Sequence, residues 1–166
     1  MITINFGIHD CCPGGDGRAM GVSVPLPDYL KNLAVVYAAA SNALAPGGKI
    51  LWVSTTPVPD LQPGKPQSFT CNITGSAFNA CVDAYNAAAL RLLGSHPDVT
   101  VLDLNAAVLK TCGKGYKRCN LQRWANVHFT TAGKQFCAVE VAHAVAPLLA
   151  PRWAMLMPKL LAEEQA

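Results

Sequence analysis

The stretch Lys49-Ile50-Leu51-Trp52-Val53-Ser54 follows the turn residues Pro46-Gly47-Gly48 and is apolar at each of its four central positions. A short run without polar alternation is typical of a strand that is buried on both faces. Met1–Phe6 and Thr100–Leu104 are two further apolar runs. Together these runs predict a parallel sheet with helices on both of its faces.

Helical patterns alternate with the predicted strands, as parallel pairing requires. The first helical pattern begins at Asp28, and the second spans about Phe78–Leu93. A short third pattern covers Ala106–Leu109, and the last runs from near Thr131 to about Leu149. This alternation predicts an α/β fold with three αβα layers. We expect residues 1–150 to form one domain and residues 151–166 a carboxyl-terminal tail, which either docks as a short helix or frays.

The composition fits one globular domain with a substantial core, since 51% of the 166 residues are hydrophobic. The net charge of +3 is too small to indicate a nucleic-acid partner. We interpret the cluster of Lys114, Lys117, Arg118 and Arg123 as a solvated loop. The apolar stretch Leu33–Ala45 is too short to cross a membrane, so no membrane span is expected.

Seven cysteines favour an oxidising compartment over the cytosol. Cys112 and Cys119 bracket a Gly-rich loop that a disulfide would close, and we expect one of Cys11 and Cys12 in another disulfide. The sequon Asn72-Ile73-Thr74 points to the same compartment and to a glycoprotein. We therefore expect a secreted protein, or one in the lumen of the secretory pathway.

No signal peptide is recognisable, because Met1 leads directly into a strand pattern without a charged region or a cleavage site. We therefore expect the true amino terminus to lie upstream. The odd cysteine count leaves at least one thiol unpaired, and Cys137, inside an apolar helix pattern, is expected to be a core residue.

Two histidine-bearing segments lie where a parallel sheet binds ligands, beyond the carboxyl ends of its strands. His9 follows the first strand in Phe6–Asp10, and His128 enters the last helix in Asn126–Gly133. Although they lie near opposite ends of the chain, this fold type predicts that both reach the same rim of the sheet.

In order and spacing, these segments resemble those of the SGNH (GDSL-type) hydrolases. Phe6–Asp10 is similar to the GxND block of that family, and Val127–Gly133 is similar to its late histidine block. The likeness extends over Ile2–Leu149. It implies a flavodoxin-like parallel sheet whose amino-terminal strand, which carries the nucleophile, is missing here.

The resemblance implies acyl transfer by a carboxylic-ester hydrolase that needs no cofactor or metal ion. A serine would attack the ester, His128 would be the general base, and His9 would take the place of the oxyanion-hole asparagine. Gly7 would allow the substrate to approach closely. The substrate implied is a small acyl ester or an acylated carbohydrate.

The chain also departs from the family pattern, so we expect it to be inactive on its own. It has no GDS serine, and Ala125 stands three residues before His128, where the family has an aspartate. Two alternatives follow: a non-catalytic SGNH-like binding protein, or a metal-binding module around His9, Cys11 and Cys12. Without its neighbouring strand, the first strand would form an open edge, which predicts self-association.

Purely structural roles are open for several of these residues. His96 lies in a Ser-His-Pro turn and His143 within a helix pattern, so both are interpreted as structural or solvated. Asp103, at the end of a strand, is expected to cap the next helix. His128 is also placed to cap the last helix, and His9 to pair with its neighbour Asp10.

Overall fold

The computed structural model describes residues 1–12, 22–59, 75–113, 119–123 and 127–163, with the backbone only at 75–77 and 151–163. The described residues form β1 (Ile2–Ile4), α1 (Leu26–Ala43), β2 (Ile50–Val53), α2 (Gly75–Leu93), β3 (Val99–Leu102), α3 (Leu104–Cys112) and α4 (Thr131–Glu163).

The three strands form one parallel sheet in the order β1-β2-β3. Trp52 in the central strand pairs with Ile4 on one side and with Val101 on the other. The predicted α/β class and the parallel sheet are confirmed.

The central strand β2 is buried on both faces, and its side chains alternate between two cores. Ile50 and Trp52 belong to a cluster that includes Leu33 of α1 and Val82 of α2. The other face carries a second cluster of residues from β2, α3 and α4, among them Leu51, Val53, Val108 and Phe136. Helices therefore cover both faces of the sheet, as the apolar strands predict.

The edge strand β1 is shorter than the predicted run Met1–Phe6. It ends at Ile4 because the side-chain amide of Asn5 donates to the carbonyl of Val53, 2.8 Å away, and Gly7 then turns the chain with a φ of 131°. The Ile2 N–H donates to the Lys49 carbonyl at 3.1 Å, so the N–H of Thr3 faces away from β2. No strand in the described part of the chain pairs with that outer edge.

Two helix boundaries differ from prediction. Helix α1 begins at Leu26, two residues early, because Pro27 lies in the first turn, where a proline is tolerated. Helix α4 continues past Leu149 to Glu163 and includes Pro151 and Pro158, so the described part of the tail is helical. Each proline removes one backbone donor from the helix but has a φ compatible with it. Among the described helices, none is long and apolar enough to span a membrane.

The disulfides confirm the expected pairing of Cys112 with Cys119 and join Cys11 to Cys81 of α2. Cys12 is also disulfide-bonded, whereas Cys137 is a free, half-buried thiol whose pKa is raised by burial. These bonds indicate an oxidising environment, extracellular or in the secretory pathway. The sequon Asn72-Ile73-Thr74 lies outside the described residues, and so does Ala125. The same holds for three residues of the basic cluster: Lys114, Lys117 and Arg118.

Candidate functional site

The carboxyl ends of β1 and β2 are joined by hydrogen bonds from side chains. The hydroxyl of Thr55, directly beyond β2, donates to the Phe6 carbonyl at 2.6 Å. Tyr29 of α1 donates to the same carbonyl at 3.5 Å. Burial, and then the negative charge of Asp10, raise the pKa of Tyr29 to about 12, so its hydroxyl stays protonated at neutral pH.

The turn that carries His9 is fixed from several sides. The N–H of Cys11 donates to the Gly7 carbonyl and that of Cys12 to the His9 carbonyl, each at 3.2 Å. The Cys11–Cys81 disulfide then ties the turn to α2. The His9 residue itself is exposed.

Gly7 is buried, and the space that a Cβ would need is taken by the protein itself. A Cβ built on Gly7 would lie 2.8 Å from the Thr55 hydroxyl oxygen. This contact and the φ of 131° explain why a glycine is needed at this position, whether or not a substrate binds there. The substrate-binding role of Gly7 stays a prediction.

The segment that carries His128 is an antiparallel turn ahead of α4. Gln122 and Phe129 form an isolated bridge, and the Arg123 N–H donates to the His128 carbonyl at 3.0 Å. The Thr130 hydroxyl accepts a hydrogen bond from the Gly133 N–H at 3.1 Å, so Thr130 caps α4. His128 is exposed.

The neighbours of the two histidines pack against one core cluster. Ile8, next to His9, and Val127, next to His128, are both partly buried against the cluster that contains Ile4 and Trp52. Such packing is expected if His9 and His128 lie at the same rim of the sheet. The roles of His128 as base and His9 as oxyanion donor stay predictions.

The end of β3 is joined to β2 through Asp103. Its carboxylate accepts hydrogen bonds from the Ala106 N–H at 3.0 Å and from the Ser54 hydroxyl at 2.9 Å. The helix-capping role expected for Asp103 is confirmed. The Ser54 hydroxyl in turn accepts from the backbone N–H of Asn105 at 2.9 Å. Ser54 and Asn105 are both buried, and no motif or periodicity in the sequence distinguishes either of them.

Two asparagines of α2 hold the buried segment that follows β2. The side-chain amide of Asn86 bonds both the N–H and the carbonyl of Thr55, at 2.9 and 2.8 Å. Asn79 bonds the N–H and the carbonyl of Val58 in the same way, both at 2.8 Å. The two asparagines are seven residues apart, which is two helical turns, so both lie on the same face of α2.

A pocket of about 220 Å³ lies between α2 and the edge strand β3. Trp52, Asp83 and Asn105 are among its lining residues. Partial burial of the Asp83 carboxyl, and then the charge of Asp103, raise the pKa of Asp83. The indole N–H of Trp52 is buried and has no hydrogen-bond partner among the described residues. An unsatisfied buried donor costs about 1–3 kcal/mol.

The remaining histidines have structural surroundings. The His96 ring stacks on that of Tyr37, with their centroids 4.1 Å apart, and His143 is exposed on α4. Disulfide formation removes Cys11 and Cys12 as thiolate ligands, which argues against the metal-binding alternative.

The fold and the site define an α/β domain with a parallel sheet, polar residues at the carboxyl ends of its strands and a disulfide that anchors the rim. No family model, curated protein or solved structure matches the chain.

Proposed function

We propose that the chain is the carboxyl-terminal part of an SGNH-type carboxylic-ester hydrolase domain that is secreted or resides in the secretory pathway. One observation carries the proposal: the parallel order β1-β2-β3, with the His9 turn after β1 and the His128 segment directly before α4. In the flavodoxin-like order 2-1-3-4-5, the last three strands are adjacent in the same way, and the first strand pairs with the outer edge of the third.

In this proposal a serine at the end of that outer strand is the nucleophile. His128 takes its proton, and a ring N–H of His9 donates to the oxyanion that forms on the ester carbonyl. Both histidines are exposed, so a substrate can reach them. The substrate would be a small acyl ester or an acylated carbohydrate.

Ala125 favours a second candidate, a non-catalytic SGNH-like binding protein. An alanine cannot orient the imidazole of His128, and loss of one member of a catalytic triad lowers the rate by several orders of magnitude. This candidate retains the rim as a binding surface.

A fluorophosphonate probe on the full-length gene product distinguishes the two candidates. If the hydrolase proposal holds, the probe labels a serine on the strand next to β1, and His128→Ala slows labelling by about 10³-fold or more. His143→Ala is the matched control, because His143 is an exposed histidine on α4, and it should leave the rate unchanged. Absence of a labelled serine would favour the binding protein, and labelling that is unaffected by His128→Ala would refute the assignment of the base.

The outer edge of β1 gives a separate prediction about the 166-residue chain alone. We expect it to elute from gel filtration as a dimer or larger, because the backbone groups on that edge can pair with another strand. Thr3→Pro removes an N–H that faces away from β2, so the variant should elute as a monomer and melt at a similar temperature.

Thr3→Val is the control for this prediction, because it retains the N–H and the preference for a strand. It should self-associate as the unaltered chain does. A monomeric unaltered chain, or an associated Thr3→Pro variant, would show that this edge does not drive association.

A further inference from the structure

Another pocket lies beside the turn that carries His9. It has a volume of about 160 Å³ and lies between α1 and the residues that follow β1. Two of its lining residues, Phe6 and Asp10, flank His9 in the sequence. Because His9 and Asp10 are consecutive, their Cα atoms are only about 3.8 Å apart. The pocket therefore adjoins the residue that is proposed to hold the oxyanion.

The wall that α1 contributes to this pocket is mainly apolar. Tyr29, Leu33 and Val36 line it, and their spacing of four and three residues places them on one face of the helix. Tyr29 and Leu33 are buried, whereas Phe6 is 48% exposed and Asn32, which also lines the pocket, is exposed. The buried residues thus form an apolar floor, and the exposed residues mark the opening to solvent.

The size of the pocket fits a short aliphatic chain. One water molecule takes up about 30 Å³ in the liquid, and a methylene group is of similar size. The volume of about 160 Å³ is therefore enough for about five carbon atoms in a row. A drug-sized ligand needs a larger cavity.

The pocket carries a negative charge that disfavours anionic ligands. Asp10 supplies a carboxylate, and none of the described residues that line the pocket is a Lys, Arg or His. Burial, and then the charge of Asp10, raise the pKa of both Tyr29 and Tyr85, so this charge acts on the side chains around it. A carboxylate on a ligand would be repelled here, whereas an uncharged ester would not.

We propose that this pocket holds the acyl chain of a neutral aliphatic ester, with about five carbons beyond the carbonyl group. The assignment rests on the proposed function, because it places the ester carbonyl at His9 and the chain against Leu33 and Val36. Hydrolysis adds water to the ester and yields an alcohol and an acid, which loses its proton to become a carboxylate. Asp10 repels this carboxylate, so the pocket also favours release of the product.

Titration of the purified chain with hexanamide and with hexanoate, followed by nuclear magnetic resonance, tests the pocket without any catalysis. The two ligands have the same carbon chain, but only hexanoate is charged at pH 7. Hexanamide should bind about fivefold more tightly, and Asp10→Asn should make the two affinities equal. Asp28→Asn, a matched change in the first turn of α1, should leave the difference unchanged.

The length of the carbon chain gives a second readout. Each added methylene group should tighten the binding of aliphatic amides about fourfold up to hexanamide, and longer amides should gain little. Val36→Phe fills the pocket and should weaken hexanamide binding about tenfold, because about two methylene groups lose their place. Val35→Phe is the matched control, since Val35 is 64% exposed and does not line the pocket. Should Val36→Phe fail to fold, the amide series in the unaltered chain still tests the size.

Ester hydrolysis by the full-length gene product separates this assignment from the proposed function. With p-nitrophenyl esters from acetate to decanoate, kcat/KM should be highest near hexanoate, and Val36→Phe should move the optimum to acetate. If no ester is hydrolysed while hexanamide binds as described, the hydrolase is refuted and the pocket is supported. If hydrolysis does not depend on chain length, or if hexanamide and hexanoate bind equally, the pocket assignment is overturned and the hydrolase stands.

Discussion

Gly133→Ala is expected to destabilise the domain by about 3 kcal/mol or more, because the added methyl group would have to fit into a fully packed site. Gly133 is buried in the first turn of α4. A Cβ at this position would overlap the carbonyl oxygen of Leu121 and lie 2.7 Å from the Phe129 ring. Because the nearest obstacle is backbone, the start of α4 must move away from the segment that carries His128. Urea unfolding of the two proteins measures the loss.

Gly47→Ala is the matched control. Gly47 has a positive φ of 71°, and a Cβ there would meet nothing within 4 Å. The substitution should therefore cost only the backbone strain, about 1–2 kcal/mol. If Gly133→Ala proved as mild as Gly47→Ala, the close contact between α4 and Leu121 would not exist in solution.

Removal of the Cys11–Cys81 disulfide by a double substitution to alanine is expected to lower the free energy of unfolding by about 2–5 kcal/mol. The two cysteines are 70 residues apart in the sequence, so the bond restricts a large part of the unfolded chain. Cys11 is also fully buried, so its loss leaves a cavity in the core around Trp52. Thermal and urea unfolding under non-reducing conditions measure the effect.

The corresponding double alanine variant of Cys112 and Cys119 is the comparison. These cysteines are only 7 residues apart, so the loop-closure argument gives a smaller loss, about 2 kcal/mol. The bond of Cys12 remains in both variants. Equal losses in the two variants would contradict the long-range role assigned to Cys11–Cys81.

The sheet could be predicted from the sequence because its signal is local. Ile50–Val53 is apolar at every position, and the structure places these side chains alternately in two cores. The end of α4 was missed for an equally local reason: Pro151 is typical of a helix boundary, yet the helix accommodates it.

The polar contacts of the rim could not be predicted, because each joins residues that are distant in the sequence. The bond between Ser54 and Asp103 spans 49 residues, and that between Asn86 and Thr55 spans 31. Neither pair has a periodicity or a motif of its own. Gly7 is a similar case: the sequence shows a glycine at the end of the strand, but it does not show that Thr55 lies against it.

The attachment of α2 has a mechanical consequence for the rim. Two asparagines bind this helix to the segment after β2, and the Cys11–Cys81 bond fastens it to the turn that presents His9. Helix α2 and the His9 turn must therefore move together as one rigid unit. A ligand that displaces the His9 turn must therefore displace α2 as well, against the hydrogen bonds that both asparagines make.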